Sequence, residues 1–298
     1  MIHISEVGPR DGLQNEKKIL PTAQKVELIN QLASAGIKKI ECVSFVNPKI
    51  VKQMADAEEV MAQITRVEGV SYGGLVLSQS GLDRALKSNV DFLNVAMASS
   101  NTFNLKNAKR TVDESVAELS KVITTGVESG IEMIGVIGTA FGCPYDGVVP
   151  KERVLSIAER FIEAGCKEIT LADTTGMANP KQVEELIESF YHHFGDSVIL
   201  ALHFHNTRGL GLANTLAGCQ AGVRHFDSSI GGLGGCPFAP KAVGNVCTED
   251  MVNMFHEMGI QTNIELEKLI ETALWLEKEI EHTLDGMVMK AGVPCVIA

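Results

Sequence analysis

The sequence feature that most constrains the fold is an alternation of short β-rich runs with amphipathic stretches along the whole chain. The β-rich runs begin about 20 to 41 residues apart, which leaves room for one strand, one helix and two loops in each unit. We predict strands at residues 3–7, 37–43, 70–76, 90–96, 131–137, 167–172, 198–203 and 224–228. Eight such units favour an α/β fold of the closed (β/α)8 type, a TIM barrel, over an open doubly wound sheet.

Helices are predicted between these strands. In residues 22–35, the side chains of Val26, Ile29, Leu32 and Ala33 share one helical face. Residues 112–129, 151–164 and 180–194 show the same period. After residue 258 the pattern becomes one long amphipathic helix at residues 265–281, which we interpret as packing on the barrel or on a partner subunit. We therefore expect a single domain over residues 1–298, with the barrel at about 1–258 and a C-terminal helical extension at about 259–298.

The composition excludes several classes of function. The 298 residues carry a net charge of −11, whereas a general nucleic-acid or anionic-membrane binder needs a basic face. Seven cysteines without a CxxC pair fit neither a disulfide framework nor a zinc site and indicate a reducing compartment. The N-terminal sequence has no secretory or transit character, and no apolar run reaches transmembrane length, so we expect a cytoplasmic protein. The final residues, Cys295 to Ala298, match the C-a-a-X prenylation pattern, but without a polybasic segment a chance apolar ending is the better interpretation.

Polar and charged residues fall repeatedly where the predicted strands end. In a barrel these carboxyl ends form one face, and catalytic chemistry belongs there. A charge within an apolar strand costs several kcal/mol unless it is paired, so each of these residues needs a partner or a metal. The residues are Arg10, Asp11, Gln14, Glu41, Ser44, Asn94, Asp173, Thr174, His203, His205, Asp227 and Asn245.

His203 and His205 are the sharpest local signal. Residues i and i+2 of a strand point to the same side, so both imidazoles project together as a two-point chelate. Asp11, close across the barrel mouth, and Asn245 complete a set of two nitrogen and two oxygen donors. Because no thiolate pair is present, this set suits six-coordinate Mg²⁺ or Mn²⁺ better than tetrahedral zinc. The alternative is a pair of hydrogen-bonded histidines at a strand end.

Arg10 adjoins a candidate metal ligand, and two compatible roles are open for it. One role is a salt bridge to Glu41 or Asp173. The other role is that of a fixed cation that stabilises a developing enolate oxygen. In either case, Glu41 and Asp173 are candidates for orienting the groups that act on the substrate. Cys236 lies in a glycine-rich loop, where a mobile thiol acid or base is credible and a small buried residue is the alternative.

Two segments resemble the 3-hydroxy-3-methylglutaryl-CoA (HMG-CoA) lyase family: GPRDGLQNE at residues 8–16 and GLGGCP at residues 232–237. SFV at 44–46, GCPY at 142–145, DT at 173–174 and HxH at 203–205 extend the resemblance over essentially the whole chain. The resemblance implies a metal-dependent TIM barrel that cleaves HMG-CoA to acetyl-CoA and acetoacetate.

The resemblance also implies roles for the matching residues. The divalent cation, Mg²⁺ or Mn²⁺, is bound by Asp11, His203, His205 and Asn245. Arg10 stabilises the enolate, His203 or a water beside it is the base, and Cys236 is the late acid. The expected catalytic residues are Cys236, His203, Arg10, Asp11 and Glu41, and the expected substrate contacts are Arg10, Gln14, Ser44, Asp173 and Thr174.

The partners implied by the resemblance are a small acyl-CoA substrate and a second copy of the chain in a homodimer. The reaction would belong to leucine degradation and ketone body formation. Near the end of the fourth strand, Lys106, Lys109 and Arg110 either contact the phosphates of coenzyme A or form a solvated helix start.

The chain departs from the family pattern in three segments. NTRG at residues 206–209 stands where DTYG is usual, and FAPK at 238–241 stands where a tyrosine and a shorter, glycine-containing segment are usual. ASSN at 98–101, ending in Asn101, lacks the acid that normally closes that motif. Arg208 and Lys241 add positive charge near the predicted mouth, so a related 3-hydroxyacyl-CoA is an alternative substrate.

Two other functions are alternatives to a lyase. The first is a Claisen-condensing synthase of the same superfamily, such as an isopropylmalate or homocitrate synthase, although the thiol-bearing loop favours the lyase. The second is a barrel without turnover that binds acyl-CoA or a metal, which metal-dependent turnover would exclude.

Overall fold

The computed structural model describes residues 1–235 and 244–293 as a closed barrel of eight parallel strands in sequence order. Pairing of the first strand with the eighth closes the barrel. Each strand ends within two residues of its predicted bounds, so the predicted TIM barrel is confirmed. The strands are β1 His3–Glu6, β2 Lys39–Ser44, β3 Ser71–Val76, β4 Phe92–Ala98, β5 Glu132–Gly138, β6 Glu168–Asp173, β7 Ile199–Phe204 and β8 His225–Ser228.

Helices surround the barrel, and the four helical stretches predicted between strands all form. Two of the helices begin with reciprocal capping boxes, formed by Thr111 with Glu114 and by Asn179 with Gln182. The helices are α1 Thr22–Ser34, α2 Ala57–Gln63, α3 Gln79–Ala85, α4 Asn101–Ala108, α5 Val112–Glu128, α6 Lys151–Ala164, α7 Pro180–Phe194, α8 Gly211–Gln220, α9 Thr248–Glu257, α10 Leu266–Ile280 and α11 Val288–Ala291.

The strands are buried on both faces, as expected for a parallel sheet covered by helices. In β4, for example, every residue except Ala96 is buried. Among the described residues, no helix is long and apolar enough to cross a membrane.

Short helical turns also connect these elements, and one of them shapes the carboxyl face of the barrel. Gly8–Gly12 forms a wide helical turn directly after β1, in which the amides of Arg10, Asp11 and Gly12 all donate to the carbonyl of Val7. The sequence periodicity does not reveal this turn. The remaining short turns are Leu13–Asn15, Lys52–Met54 and Ile230–Gly232.

The predicted C-terminal helix forms as α10 and packs on the barrel helices α1 and α9. Leu269, Ala273 and Leu276 are fully buried along one face, whereas Leu274 on the opposite face is 40% exposed. The extension therefore contributes to the hydrophobic core of the described residues.

We predict that Leu276→Ala lowers the free energy of unfolding by about 2–5 kcal/mol, because it leaves a cavity between α10 and the barrel. Leu274→Ala is the matched control in the same helix, and it should cost less than about 1 kcal/mol. Urea unfolding followed by circular dichroism measures both changes. Equal losses in the two variants would contradict the packing of α10 on the barrel.

Candidate active site

A cavity of about 290 Å³ opens at the carboxyl face of the barrel. Its polar lining brings together residues from the ends of different strands, as the barrel geometry predicts. Those polar residues include Arg10, Asp11, Gln14, Asn94, Thr174, His203, His205 and Asp227. The apolar lining includes Leu75, Leu77, Ala96, Met97, Ala98, Phe103 and Val136.

The turn after β1 places Arg10 and Asp11 side by side at the cavity. The Nε of Arg10 donates to Oε2 of Glu41 at 2.6 Å, and its Nη1 contacts Oδ1 of Asp11 at 2.6 Å. The other carboxylate oxygen of Glu41 accepts a hydrogen bond from Asn94 at 2.8 Å. Of the two acids expected for Arg10, the structure thus pairs it with Glu41 and not with Asp173.

His203 and His205 project into the same cavity, as their i and i+2 spacing predicts. Their Nε2 atoms lie 3.3 Å apart, and Nδ1 of His203 lies 3.2 Å from Oδ2 of Asp227. One donor atom from each of Asp11, His203 and His205 lies within 4.8 Å of the others. These three residues are the one group of potential metal ligands found among the described residues.

Asn245 joins this group from the segment before α9. Its Nδ2 donates to Oδ2 of Asp11 at 2.8 Å and to the carbonyl of Leu233 at 2.9 Å. Its Oδ1 is buried and has no hydrogen-bond partner among the described residues. Because a buried carbonyl oxygen is costly without a partner, this orphan oxygen fits a fourth donor to a divalent cation.

The electrostatics of the cavity keep Asp11 ionised. Burial alone would raise its pKa, but Arg10, His203 and His205 outweigh burial and lower the pKa of Asp11 to about 2. Burial would lower the pKa of His203, yet its hydrogen bond to Asp227 and the charges of Asp227 and Asp11 raise it. Oxygen and nitrogen donors of this kind suit Mg²⁺ or Mn²⁺.

Asp173 and Ser44, two of the expected substrate contacts, do not line the cavity. The carboxylate of Asp173 accepts hydrogen bonds from the amides of Met177 and Ala178, and burial raises its pKa to about 7. Asp173 therefore shapes the loop that carries Thr174. Ser44 is fully buried, and its hydroxyl has no hydrogen-bond partner among the described residues.

The residues that depart from the family pattern differ from one another in their contacts. The Arg208 guanidinium donates to the carbonyls of Thr175 at 3.0 Å and Gly176 at 2.7 Å, so it braces the loop after β6 and does not line the cavity. Asn101 accepts a hydrogen bond from the amide of Val112 at 3.0 Å and joins α4 to α5. Lys241, like Cys236, lies outside the described residues.

The three cations near the end of β4 lie outside the cavity lining. Arg110 forms a surface ion pair with Glu118 at 2.9 Å. Lys106 lies on α4 with its Nζ 4.9 Å from the ring centre of Tyr145, and Lys109 ends this helix. Their arrangement fits a solvated helix, the second of the two interpretations open for them.

Glu6 is a functional support that sequence reasoning missed. Its Oε1 accepts from the amides of Gly8 at 2.7 Å and Ile230 at 2.9 Å, and its Oε2 accepts from the Thr248 hydroxyl at 2.6 Å. It therefore ties the turn that carries Asp11 to the segment after β8. The available signal was an acidic residue inside the first predicted strand.

Three comparisons place the chain among known proteins. The family model described as HMGL-like matches residues 1–275. A hydroxymethylglutaryl-CoA lyase of Bacillus subtilis is 44% identical over 95% of this chain and 94% of its own length. An (R)-citramalyl-CoA lyase of Chloroflexus aurantiacus is 42% identical over 98% of this chain and 95% of its own length.

The fold comparison agrees with the sequence comparisons. The solved structure of an HMG-CoA lyase from Acinetobacter baumannii, in complex with coenzyme A and 3-methylmalate, superimposes with a TM-score of 0.95. It is 42% identical in sequence, and the match covers 100% of this chain and 97% of that one.

We predict that Glu6→Gln reduces the pH dependence of stability. Burial raises the pKa of Glu6 to about 8, so the folded chain binds this proton more tightly than the unfolded chain does. The stability contributed by the proton is lost as the pH rises from about 4.5 towards 8. In the variant, the decline in unfolding free energy should be shallower, by up to about 1.4 kcal/mol per pH unit.

Urea unfolding between pH 5 and pH 8, in the presence of a chelator, measures the effect of Glu6→Gln. Glu267→Gln, which removes an exposed carboxyl on α10, is the control and should keep the wild-type slope. Parallel curves for the wild type and Glu6→Gln would contradict the prediction.

Proposed function

This chain belongs to the HMGL-like family of carbon–carbon lyases, and we propose that it cleaves HMG-CoA to acetyl-CoA and acetoacetate with a divalent cation, Mg²⁺ or Mn²⁺. The observation that carries this proposal is the convergence of Asp11, His203 and His205 beside Arg10 in the cavity. The 44% identity with a hydroxymethylglutaryl-CoA lyase supports the choice of substrate.

Asp11, His203, His205 and Asn245 would hold the cation. When bound there, a divalent cation supplies Lewis-acid stabilisation of the substrate oxygens and fixes the carbon skeleton. The donor set fits this role because Asp11 stays ionised, the two Nε2 atoms converge, and Asn245 has a buried carbonyl oxygen to offer.

Arg10 is proposed to stabilise the enolate of the acetyl-CoA product. Its side chain is 11% exposed and is held from two sides by Glu41 and Asp11. A permanently charged, fixed guanidinium costs no reorganisation when negative charge develops beside it. Glu41 serves as the residue that orients Arg10, and Asn94 in turn orients Glu41.

The cleavage needs a base for the 3-hydroxyl proton. Nε2 of His203 faces His205 and would be held by the cation, while its Nδ1 faces Asp227. We therefore assign the base role to a water beside His203, which would pass the proton on to the solvent. Loss of the proton turns the C3–OH group into a carbonyl, and the electrons of the C2–C3 bond form the acetyl-CoA enolate.

The enolate then needs a proton at C2. We propose that the thiol of Cys236 donates it and that the resulting thiolate takes a proton back from the solvent, since Cys236 follows the glycine-rich segment that ends at the cavity with Gly235. Gln14 and Thr174 line the cavity and are proposed as substrate contacts.

The proposed assembly is a homodimer, and the proposed location is the cytoplasm.

(R)-Citramalyl-CoA is a second candidate substrate. The supporting observation is the 42% identity with an (R)-citramalyl-CoA lyase over 98% of this chain. Both candidates are branched 3-hydroxyacyl thioesters with a free carboxylate, and they differ in how far that carboxylate lies from the carbinol carbon. The same residues can therefore perform the same bond cleavage on either one.

We predict that the purified protein releases acetyl-CoA from HMG-CoA when Mg²⁺ or Mn²⁺ is present and loses this activity after chelation, because the donor set requires the cation. Coupled assays for acetyl-CoA and acetoacetate measure the release. (R)-Citramalyl-CoA is assayed in parallel. A higher kcat/KM for (R)-citramalyl-CoA than for HMG-CoA would identify (R)-citramalyl-CoA as the substrate instead. Turnover that does not depend on a metal would contradict the proposed metal requirement.

We predict that Cys236→Ala lowers kcat by roughly 10²–10⁴-fold, the usual contribution of a positioned acid or base. Affinity for Mn²⁺ should remain unchanged, because the thiol is not among the proposed ligands. Cys219→Ala, at a buried cysteine on the outer helix α8, is the control and should keep kcat near wild type. Full turnover by Cys236→Ala would exclude the thiol as the acid.

A further inference from the structure

Asp227 is a buried carboxyl in the cavity that the reaction described above does not use. It lies on β8, where the strand register sets it opposite Ser5 of β1 and His203 of β7. Its Oδ2 lies 3.2 Å from Nδ1 of His203, and the residue is 9% exposed. Because hydrogen-bonded strands flank β8 on both sides, the carboxylate is held at a fixed place beside one imidazole.

The contact with Asp227 decides where neutral His203 carries its hydrogen. An ionised carboxylate can only accept hydrogen bonds, so Nδ1 must be the protonated nitrogen. The lone pair then resides on Nε2, which lies 3.3 Å from Nε2 of His205. Without the carboxylate, the ring is free to place its hydrogen on Nε2, where an N–H would oppose a cation.

Asp227 does not belong to the donor group itself. Among the described residues that group consists of Asp11, His203 and His205. Asp227 approaches the Nδ1 side of the ring, whereas Nε2 of His203 faces Nε2 of His205. Any effect of Asp227 on a bound cation is therefore transmitted through the imidazole of His203.

We propose that Asp227 is a positioning residue that sets the affinity of the site for a divalent cation by holding His203 in the Nδ1–H tautomer. The inference rests on the proposed metal dependence of the lyase. A carboxylate in this position also increases the basicity of the ligating nitrogen, and removal of such a partner typically weakens metal binding by about 10–100-fold.

Mn²⁺ binding in the absence of substrate tests the proposal, with free Mn²⁺ measured by electron paramagnetic resonance. Asp227→Ala should weaken Mn²⁺ binding by roughly 10–100-fold. Asp227→Asn should fall between the alanine variant and the wild type, because its carbonyl oxygen can accept from Nδ1–H but carries no charge. Wild-type Mn²⁺ affinity in both variants, or a change confined to KM, would overturn the proposal.

Glu168→Gln is the matched control for the loss of a buried barrel carboxyl. Glu168 lies at the amino end of β6, is 5% exposed and pairs with Lys39 at 2.7 Å. Its substitution should cost stability while Mn²⁺ affinity stays at the wild-type value. A similar loss of affinity in Glu168→Gln would attribute the effect of Asp227 to general loosening of the barrel and overturn the proposal.

A measurement on the wild-type protein remains decisive even where an Asp227 variant fails to fold. In the metal-free protein labelled with ¹⁵N-histidine, the neutral form of His203 should show a protonated Nδ1 and an unprotonated Nε2. His203→Gln assigns these signals by removing them. The opposite tautomer overturns the proposal.

The tautomer and the cleavage assay also separate this inference from the proposed function. A wild-type enzyme that cleaves HMG-CoA yet holds the Nε2–H tautomer overturns the role of Asp227 alone. If the protein does not cleave HMG-CoA but its Asp227 variants lose Mn²⁺ affinity, the proposal that HMG-CoA is the substrate is overturned. The role of Asp227 is then supported.

Discussion

The pairing of β1 with β8 is the interaction on which the site depends. It closes the barrel and sets the turn that carries Asp11 beside the segment after β8. The turn at Gly8–Gly12 and the segment after β8 are closely packed, since a Cβ on Gly12 would lie 2.8 Å from Cβ of Leu233. Glu6 and Asn245 hydrogen-bond across this seam, so the geometry of the donor set follows from closure of the barrel and not from one flexible loop.

Buried charge imposes the second constraint on the cavity. Arg10 is enclosed together with the carboxylates of Glu41 and Asp11, and removal of one partner from a buried pair typically costs about 3–5 kcal/mol. Three carboxyl groups, those of Asp11, Glu41 and Asp227, lie around the one guanidinium of Arg10. Carboxyl oxygens are the ligands that a divalent cation prefers, so the residues that stabilise Arg10 also favour the proposed metal.

The sequence predicted the barrel and the convergence of its polar residues because both follow from periodicity. Strand spacing gave the eight units, and the i, i+2 spacing put His203 and His205 on one side of β7. The partner of each polar side chain was less accessible, since it depends on strand register and on the turn at residues 8–12. Asp227 was visible as a polar residue but not as the partner of His203. Arg208 was expected to add positive charge near the mouth, but the sequence did not reveal that its guanidinium donates to two carbonyls of the loop after β6.

Glu6 and Asp11 show why residue type alone could not assign these roles. The two carboxyls lie five residues apart: Glu6 ends β1 and is fully buried, whereas Asp11 lies in the turn after β1 and is partly buried. Glu6 faces backbone amides and a hydroxyl, so burial dominates and raises its pKa to about 8. Asp11 faces a guanidinium and two imidazoles, which outweigh burial and lower its pKa to about 2. At neutral pH one carboxyl therefore serves as an uncharged support, while the other supplies the charge that a cation requires. The different roles of Glu6 and Asp11 therefore follow from the groups that the closed barrel places around each carboxyl.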